Sequence, residues 1–493
     1  MALNDRVAAG FCRLAWAGVY FSLAVALSGC SRTAQSLAIT HVTVIDATGS
    51  DPKPNSTVVV VDGRIRAVGP ADSTAIPRGA QVIDGNRKFL IPGLTDFHLH
   101  LTGAGEPTGS REFFLPLLLA NGITAVRDMG GYLESLIPLR KEIREGKRLG
   151  PDVVFAGPYL DGQPPSFQPS LVVTNAAQGA DDVDSLVTKG VDFIKVQSIL
   201  DRAAYFSIAQ EARREHISFV GHVPDRVTAA EASDAGQKSI EHLTGVLRAC
   251  SSDESKLMRE QFAPGPKSQT PQGSHEREIA WERELLATQS GKTCGELISK
   301  FSANQTWQTP TLVLLRQDAY PTPEADASVQ QLLRFVPRAF AEKWKQARQK
   351  QDQFANEGDF KLRNELLARS MQVTAQMEKS GVHILAGTDS AAPNLIPGFA
   401  LHQELALLVR AGLSPMQALQ AATKSSAEFI GTRQNQGTIE AGKDGDLVLL
   451  DANPLDDIRN TEKIRALILR GKLLDRVALD QMLSSVEKFA AGN

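Results

Sequence analysis

Cysteines, nucleotide-binding motifs and an excess of one charge are scarce or missing in this sequence, and each absence excludes a class of protein. The 493 residues include four cysteines, of which only Cys250 and Cys294 follow Cys30. Two cysteines without CxxC spacing can build neither a disulfide scaffold nor a thiolate zinc site. The phosphate-binding motifs GxGxxG and GxxxxGKS/T are absent. With 53 basic and 56 acidic residues and no basic tract, the chain has no electrostatic signature of nucleic-acid binding.

The amino-terminal segment, residues 1–29, has the layout of a secretory signal. Arg6 and Arg13 precede the apolar, small-residue stretch LAWAGVYFSLAVALSG. Its end, LSGC, resembles a bacterial lipobox, which implies cleavage before Cys30 and acylation of its thiol. The protein would then be exported and attached to a membrane of the bacterial cell envelope, on the periplasmic side or the outer surface. A plain transmembrane anchor and an ordinary signal remain as alternatives. Export would permit a disulfide between Cys250 and Cys294.

Short β segments at both ends of the chain enclose an alternating β/α region. Residues 37–90 and 436–478 are rich in short strands separated by glycine and Asp-Gly turns, and they predict one composite β-sandwich domain. Residues 91–435 repeat an apolar strand and a helical period about eight times, which predicts a TIM-type (β/α)8 barrel. An open doubly wound sheet is the alternative. Polar helical stretches at about 250–302 and 320–380 predict insertions, either as a lid or substrate wall or as solvated surface helices.

Histidines mark the ends of several predicted strands. The four concerned are His98, His100, His222 and His242. In the segment FHLH, two of them are two residues apart, so both side chains point to the same face of one strand. Asp389, in AGTDS, ends the last predicted strand. Because catalytic groups of a barrel collect at the carboxyl ends of its strands, these five side chains predict a site for zinc or a similar divalent ion.

Lys195 interrupts the apolar run GVDFIKVQ, where an unpaired buried ammonium is costly. One interpretation is that its side chain reaches water at the strand end. The other places it among the metal ligands, where burial lowers the pKa of a lysine. Its neutral amine could then take up carbon dioxide and form a carbamate. We therefore predict that Lys195 serves as an anionic ligand that bridges two metal ions.

The motifs together resemble the amidohydrolase superfamily over nearly the whole chain beyond the signal. The segments that carry the resemblance are VIDATG, VVVDGRIRAVGP, LIPGLTDFHLHL, GITAVRDMGG, GVDFIKVQ, GHV, IEHL, AGTDS and GTIEAGKDGDLVLLDANPLDDI. The most similar subgroup is the prolidase-like, or Xaa-Pro dipeptidase-like, enzymes.

The resemblance implies a binuclear metal centre, with zinc as the first choice of metal. Its ligands would be His98, His100, Lys195, His222, His242 and Asp389. The FHLH pair and Asp389 would hold one ion, and the two later histidines the other. Carboxylated Lys195 and a hydroxide would bridge both ions. Asp389 would also be the catalytic acid and base, which takes a proton from the water and passes it to the leaving nitrogen.

These observations favour a metal-dependent hydrolase of carbon–nitrogen bonds that cleaves a small amide, either a dipeptide or an N-acyl amino acid. A lactonase, a phosphotriesterase or a deaminase could use the same centre, and a non-catalytic lipoprotein of this fold is a further alternative. Tyr159 and Trp307 are candidate substrate-binding residues near predicted strand ends. We expect no nucleic-acid partner and a membrane contact through the lipid anchor. The sequence leaves the oligomeric state, including a homo-oligomer, open.

Three other polar features receive structural interpretations. The segment HQELA at His402 lacks the HExxH pattern of zinc peptidases, and His402 is predicted on a helix surface. Arg127 and Asp128, adjacent in sequence, are predicted to form a structural ion pair. His383, early in the last strand, is predicted to pack in the core.

Overall fold

The computed structural model describes residues 36–102, 110–262, 270–320 and 327–492. The predicted signal, residues 1–29, and the predicted acylation site Cys30 lie outside this part of the chain. Within the four ranges, no helix combines the length and the apolar character needed to cross a membrane.

Numbered along the chain, the strands are β1 (Ser36–Val44), β2 (Lys53–Val61), β3 (Arg64–Pro70), β4 (Gln81–Asp84), β5 (Phe89–Pro92), β6 (Leu94–Leu99), β7 (Ile123–Asp128), β8 (Asp152–Phe155), β9 (Tyr159–Asp161), β10 (Ser170–Val172), β11 (Ile194–Val196), β12 (Phe219–Gly221), β13 (Ser239–Glu241), β14 (Trp307–Thr309), β15 (Leu447–Leu450), β16 (Ile464–Leu469) and β17 (Lys472–Asp475).

The helices are α1 (Ser110–Ala120), α2 (Leu133–Arg144), α3 (Ala176–Thr188), α4 (Arg202–Arg214), α5 (Ala229–Asp234), α6 (Val246–Ala249), α7 (Glu254–Phe262), α8 (Pro271–Ala287), α9 (Gly291–Asn304), α10 (Leu312–Ala319), α11 (Ala327–Leu332), α12 (Arg338–Asp352), α13 (Glu357–Lys379), α14 (Phe399–Ala411), α15 (Pro415–Ala421), α16 (Lys424–Phe429) and α17 (Arg476–Gly492). Several begin at side-chain caps. The Asn175 side chain accepts a hydrogen bond from Gln178 N at α3, and Thr228 and Glu231 form a capping box at α5.

Parallel strands form a TIM-barrel-like ring. One group consists of β6, β7 and β8, and another runs β10-β9-β11-β12-β13-β14. The groups meet on one side through a hydrogen bond from Asp192 N to Phe155 O (2.9 Å). On the other side, the segment 384–390 makes parallel bridges to both β14 and β6. The predicted α/β class is therefore confirmed, and the carboxyl ends of these strands are brought to one face.

Strands from both ends of the chain share a second sheet. Its order is β17-β16-β15-β5-β1-β2-β3, and β4 also pairs with β1. The sequence predicted a composite β-sandwich of these segments, and the hydrogen bonds join their strands in one continuous sheet. The reason is that β5 pairs in parallel with β1 and antiparallel with β15. This sheet has its own apolar cluster, which includes Leu37, Ile39, Val58, Leu449 and Ile468.

Helices occupy both stretches that were predicted as helical insertions. Between β13 and β14 the chain forms α6 to α9, and between β14 and the segment 384–390 it forms α10 to α13. Helix α13 packs against α8, α9 and α10, so the two stretches contact each other. A disulfide joins Cys250, at the end of α6, to Cys294 in α9, as the export prediction allowed.

An apolar cluster fills the interior of the ring. It takes one residue from nearly every ring segment: Phe97, Met129, Ala156, Phe193, Val220, Trp307 and Leu385, together with Phe429 of α16. All of them are nearly or completely buried. The polar side chains at the strand ends therefore adjoin a buried apolar cluster, against which the guanidinium of Arg127 also packs.

Candidate metal centre

All six predicted ligands line one cavity of about 680 Å³. They are His98, His100, Lys195, His222, His242 and Asp389. Each lies in a parallel strand of the ring, directly after one, or in the segment 384–390. The side chains that the strand-end pattern singled out therefore lie together in the structure.

Three of these side chains form a compact ligand group. Asp389 Oδ1 lies 3.3 Å from His98 Nε2 and 3.0 Å from His100 Nε2. One ligand atom from each of the three residues lies within 4.8 Å of the others, so the group could hold a metal ion. The two histidines of FHLH thus act from the same face, as their spacing predicted.

The remaining predicted ligands adjoin this group. The ring centroid of His242 lies 4.4 Å from that of His98 and 5.1 Å from that of His222. Lys195 is 1% exposed, in the strand beside the one that ends before His222. Its ammonium has no hydrogen bond or ion pair with any residue in the described ranges, although it lines the cavity.

Each histidine of the centre has its Nδ1 atom engaged by a neighbour. The contacts are His98 with Glu241 Oε2 (2.8 Å), His100 with Gly130 O (3.0 Å), His222 with Ser198 Oγ (2.8 Å) and His242 with Thr311 Oγ1 (2.7 Å). This pattern orients metal-binding imidazoles, because it leaves Nε2 for the ion. His98 Nε2 is buried without a hydrogen-bond partner among the described residues. The donor set and this unsatisfied atom fit a divalent cation.

Burial and neighbouring charges shift the pKa values of most of these ligands toward metal-binding forms. His100 is the exception, because Asp389 raises its pKa although burial opposes the shift. Burial and the charge of Lys195 lower the pKa of His222 well below its ordinary value, and burial lowers that of His242 to about 3. Burial alone would raise the pKa of Asp389, but His242 and a hydrogen bond from His100 hold it well below its ordinary range. Burial lowers the pKa of Lys195 to about 8. Neutral imidazoles and an ionised carboxylate are the forms that bind metals.

A glycine makes room for Lys195. Gly221 has a φ of +129°, and a Cβ atom there would lie 2.3 Å from Val196 O and 2.9 Å from Lys195 Cδ. Any other residue would therefore clash with the adjacent strand and with the lysine stem. The backbone thus provides a cradle for the Lys195 side chain directly before the ligand His222.

Glu241 is a site residue that the sequence interpretation missed. It is completely buried and contacts His98 on one side and Arg127 Nη2 (2.8 and 2.9 Å) on the other. The predicted pair of Arg127 with Asp128 is wrong, because neighbouring residues of a strand point to opposite faces. Asp128 instead accepts hydrogen bonds from backbone amides, including Leu101 N. A carboxylate in the short predicted strand SIEH, directly before His242, was the available signal.

Asp96 is a second residue that was missed. It is completely buried and accepts hydrogen bonds from Thr388 N (3.1 Å) and Thr388 Oγ1 (2.7 Å), which ties β6 to the segment that carries Asp389. Asp389 and His242 both have left-handed backbone conformations, with φ values of 61° and 57°. Such values are uncommon outside glycine and often occur at functional sites. The period-two series Asp96, His98 and His100 was the signal in the sequence.

The two candidate substrate-binding residues have different locations. The Tyr159 hydroxyl lies 3.1 Å from His100 Nδ1, and its side chain lines the cavity. Trp307 does not line it, and this prediction is wrong. Trp307 is the first residue of β14, so it lies at the amino end of the strand, in the apolar interior. It stacks on His383, with 4.0 Å between ring centroids, which agrees with the packing role predicted for His383.

His402 also differs from its prediction. It is 1% exposed, and its two ring nitrogens contact Thr461 Oγ1 (2.9 Å) and Asn121 O (3.1 Å). It therefore lies on the buried face of α14, not on a helix surface, because both ring nitrogens find polar partners inside the protein.

The fold and the site define a TIM-barrel-like protein with a histidine- and aspartate-rich centre at its strand ends. The sequence profile of the amidohydrolase family matches residues 89–474. The chain therefore belongs to the amidohydrolase family, and the resemblance seen in its motifs is confirmed.

Solved structures of similar fold include bottromycin amidohydrolase, with a TM-score of 0.72, 23% identity and coverage of 92% of this chain and 90% of that one. A Xaa-Pro dipeptidase with bound methionine in its active site has a TM-score of 0.63 and 18% identity, and covers 90% of this chain and 100% of its own. Ochratoxinase of Aspergillus niger has a TM-score of 0.62 and 18% identity over 90% of this chain and 96% of its own. At these identities the likeness concerns the fold.

Curated relatives match over shorter segments. Adenine deaminase of Paracoccus denitrificans is 30% identical over 139 residues, 28% of this chain and 21% of the relative. Imidazolonepropionase of Idiomarina loihiensis is 34% identical over 105 residues, 21% of this chain and 25% of the relative. The chain thus spans about a fifth to a quarter of the length of these relatives.

Proposed function

We propose that the protein is a binuclear, metal-dependent amidohydrolase that cleaves the amide bond of a dipeptide or an N-acyl amino acid. The observation that carries this proposal is the meeting of all six predicted ligands in one cavity, with Nδ1 of each of the four histidines engaged away from the centre. Family membership supports hydrolysis of carbon–nitrogen bonds. The dipeptidase among the structures of similar fold supports the choice of amide.

The proposed cofactors are two divalent ions, zinc by preference, and carbon dioxide bound to Lys195 as a carbamate. When bound, the two ions would activate a water molecule at neutral pH and polarise the substrate carbonyl. Lys195 suits the role of a carbamate because it is buried, forms no hydrogen bond or ion pair with a described residue, and has a lowered pKa, which favours the reactive amine. As a carbamate it would bring a negative charge between the imidazoles in place of a positive one.

Side chains of the cavity would transfer the proton, orient the substrate and exclude water. Asp389 would accept the proton of the attacking water and donate it to the leaving nitrogen, which its position at the ligand group allows. Tyr159, beside His100, would orient the substrate through its hydroxyl. Leu314, Phe340 and Trp344 line the facing wall and would exclude water from the reacting groups.

The test combines metal analysis with turnover of an amide panel. The purified protein should bind two divalent ions per chain and hydrolyse dipeptides or N-acyl amino acids. Lys195→Arg keeps the charge but cannot be carboxylated, so it should lose both metal and turnover. Lys195→Ala should be inactive and partly rescued by short carboxylic acids. Lys189→Arg, an exposed lysine after α3, is the matched control.

Two results would contradict the proposal. A Lys195→Arg variant with two bound metals and full activity would return this lysine to a purely structural role. The second result is an absence of hydrolysis of any amide, together with turnover of lactones, phosphotriesters or a deaminase substrate. It would show that the same centre catalyses a different reaction from the proposed one.

We also propose that the protein is exported and anchored through acylated Cys30 to a membrane of the cell envelope. The support is the sequence of residues 1–30. In cells, Cys30→Ala should leave an unprocessed or unanchored form. Unchanged mass and membrane fractionation of that variant would count against the anchor.

A further inference from the structure

Asp318, in α10, lies where two cavities adjoin. The larger cavity contains the candidate metal centre, and a second one of about 360 Å³ lies behind it. Both are lined by His242, Thr244, Leu315 and Asp318. Among the described residues, Asp318 is the one acidic side chain that lines both. It therefore borders both the cavity of the metal centre and a space that a longer substrate could enter.

Asp318 is not directly paired with a cation in the part of the chain that the structure describes. It accepts one hydrogen bond, from Gln351 Nε2 (3.0 Å), and forms no ion pair within the described ranges. Arg348 and Arg363 attract it from a distance, but Arg348 pairs with Asp352, and Arg363 lies nearest two glutamates of α8 at 3.5 Å. Burial raises the pKa of Asp318. A half-buried carboxylate without a counterion would be stabilised by a cation that arrives with the ligand.

The second cavity also favours positive charge. Its charged residues are the acids Asp225, Glu278, Glu282 and Asp318 and the bases Arg248 and Arg363. Among the described residues, four acids stand against two bases, so the lining is formally acidic, although burial raises the pKa of Glu282 to about 7. Apolar side chains, among them Trp281, Leu285 and Leu367, complete the walls. The space therefore suits an apolar side chain attached to a cationic group.

We propose that Asp318 binds the protonated amino group on the acyl side of the substrate, and that the side chain next to that group extends into the second cavity. This inference rests on the proposed function, because it places the scissile amide at Asp389. It narrows the substrate class to aminoacyl amides, which are dipeptides with a free amino terminus. N-acyl amino acids lack this positive charge and would bind less well.

The first experiment measures binding, which does not depend on turnover. The probes are leucinol, which carries a free ammonium and no amide, and 4-methylpentan-1-ol, its amine-free counterpart. By calorimetry on the metal-loaded protein, leucinol should bind about 10- to 100-fold more tightly, as expected for a charge-assisted hydrogen bond. Asp318→Asn keeps an oxygen for Gln351 but removes the charge, so this preference should disappear. Glu342→Gln, exposed on α12, should retain it.

The second experiment measures turnover of leucyl-phenylalanine and its N-acetyl derivative. The wild-type kcat/KM should favour the free dipeptide, and Asp318→Asn should lower it for that substrate alone. A leucinol preference that survives in Asp318→Asn, or an equal loss on both substrates, would overturn the inference. A preference for leucinol that depends on Asp318, with no hydrolysis of any amide, would support the cation site and refute the proposed function.

Discussion

Replacing Glu241 with glutamine should weaken metal binding although Glu241 does not belong to the predicted ligand set. The carboxylate accepts hydrogen bonds from His98 Nδ1 (2.8 Å) and Arg127 Nη2 (2.8 Å) at the same time. A glutamine amide has one oxygen and one NH2 group, so in either orientation its NH2 group meets a donor, either His98 Nδ1 or Arg127 Nη2. If its NH2 group faces His98, the imidazole must carry its proton on Nε2, where the metal should bind.

The size of the effect follows from these contacts. Loss of an outer partner of a metal-binding histidine lowers metal affinity by about 10- to 100-fold. Because Arg127 is completely buried, the variant also leaves a guanidinium without its counterion, which destabilises a protein by about 3–5 kcal/mol. Glu142→Gln removes the partner of Arg148 in a half-exposed ion pair and should change stability by less than about 1 kcal/mol.

The assay is a titration of metal-free protein with Zn²⁺ against a competing chelator, together with thermal unfolding of the metal-free forms. Metal-free Glu241→Gln must first be shown to retain the wild-type circular dichroism spectrum, so that weaker binding is not read from unfolded chains. Zinc affinity equal to that of the wild type would refute the assignment of Glu241 as the group that fixes the His98 tautomer.

Two further predictions concern stability. Glu404 is completely buried, its Oε2 accepts a hydrogen bond from Val313 N, and burial raises its pKa from 4.5 to about 8. The folded state therefore holds this proton more tightly than the unfolded state, and the resulting stability, complete below pH 4.5, falls by about 1.4 kcal/mol per pH unit up to pH 8. Thermal unfolding across this range should show that Glu404→Gln removes part of the decline, and parallel curves for the two proteins would contradict the argument. The disulfide Cys250–Cys294 closes a loop with a sequence separation of 44, so its removal should destabilise the fold by about 4 kcal/mol. Unfolding of a Cys250→Ser, Cys294→Ser double variant measures this loss, and an unchanged midpoint would show that the bridge does not constrain the unfolded chain.

The ligand set could be predicted because strand-end chemistry is local in sequence. Short apolar runs that end in histidine, lysine or aspartate mark both the strand and its functional end. Tertiary contacts then decide which partners these side chains meet. Such contacts leave a weaker signal in the sequence than the end of a strand does. Glu241 meets His98 across 143 residues of sequence. Its role depends on which strands are neighbours in the ring, which no local pattern specifies.

Wrong predictions arose where the type of residue and its place in the sequence did not show how deeply its side chain is buried. Trp307 was expected in the pocket because its segment was placed at a strand end, yet it begins β14 and lies in the apolar interior. His402 was expected at a surface, yet two polar partners allow it to be buried. The composite sheet was anticipated from turn-rich segments at both ends, but its continuity depends on β5, a short strand whose two neighbours cannot be identified from its own sequence.

The continuous sheet constrains the order in which the parts of the protein can fold during synthesis. Strand β5 ends at Pro92, and its partner β15 begins at Leu447, so a ribosome must add every strand of the ring before the two can pair. During that time one edge of β5 has no strand beside it. Leu90 and Ile91, which are completely buried in the finished fold, are then not yet covered by β15. Pairing between such distant segments is slow. Nascent chains that end before β15 should therefore remain vulnerable to proteases even when the ring is complete. The second sheet would become resistant to proteases only after β15 has paired with β5.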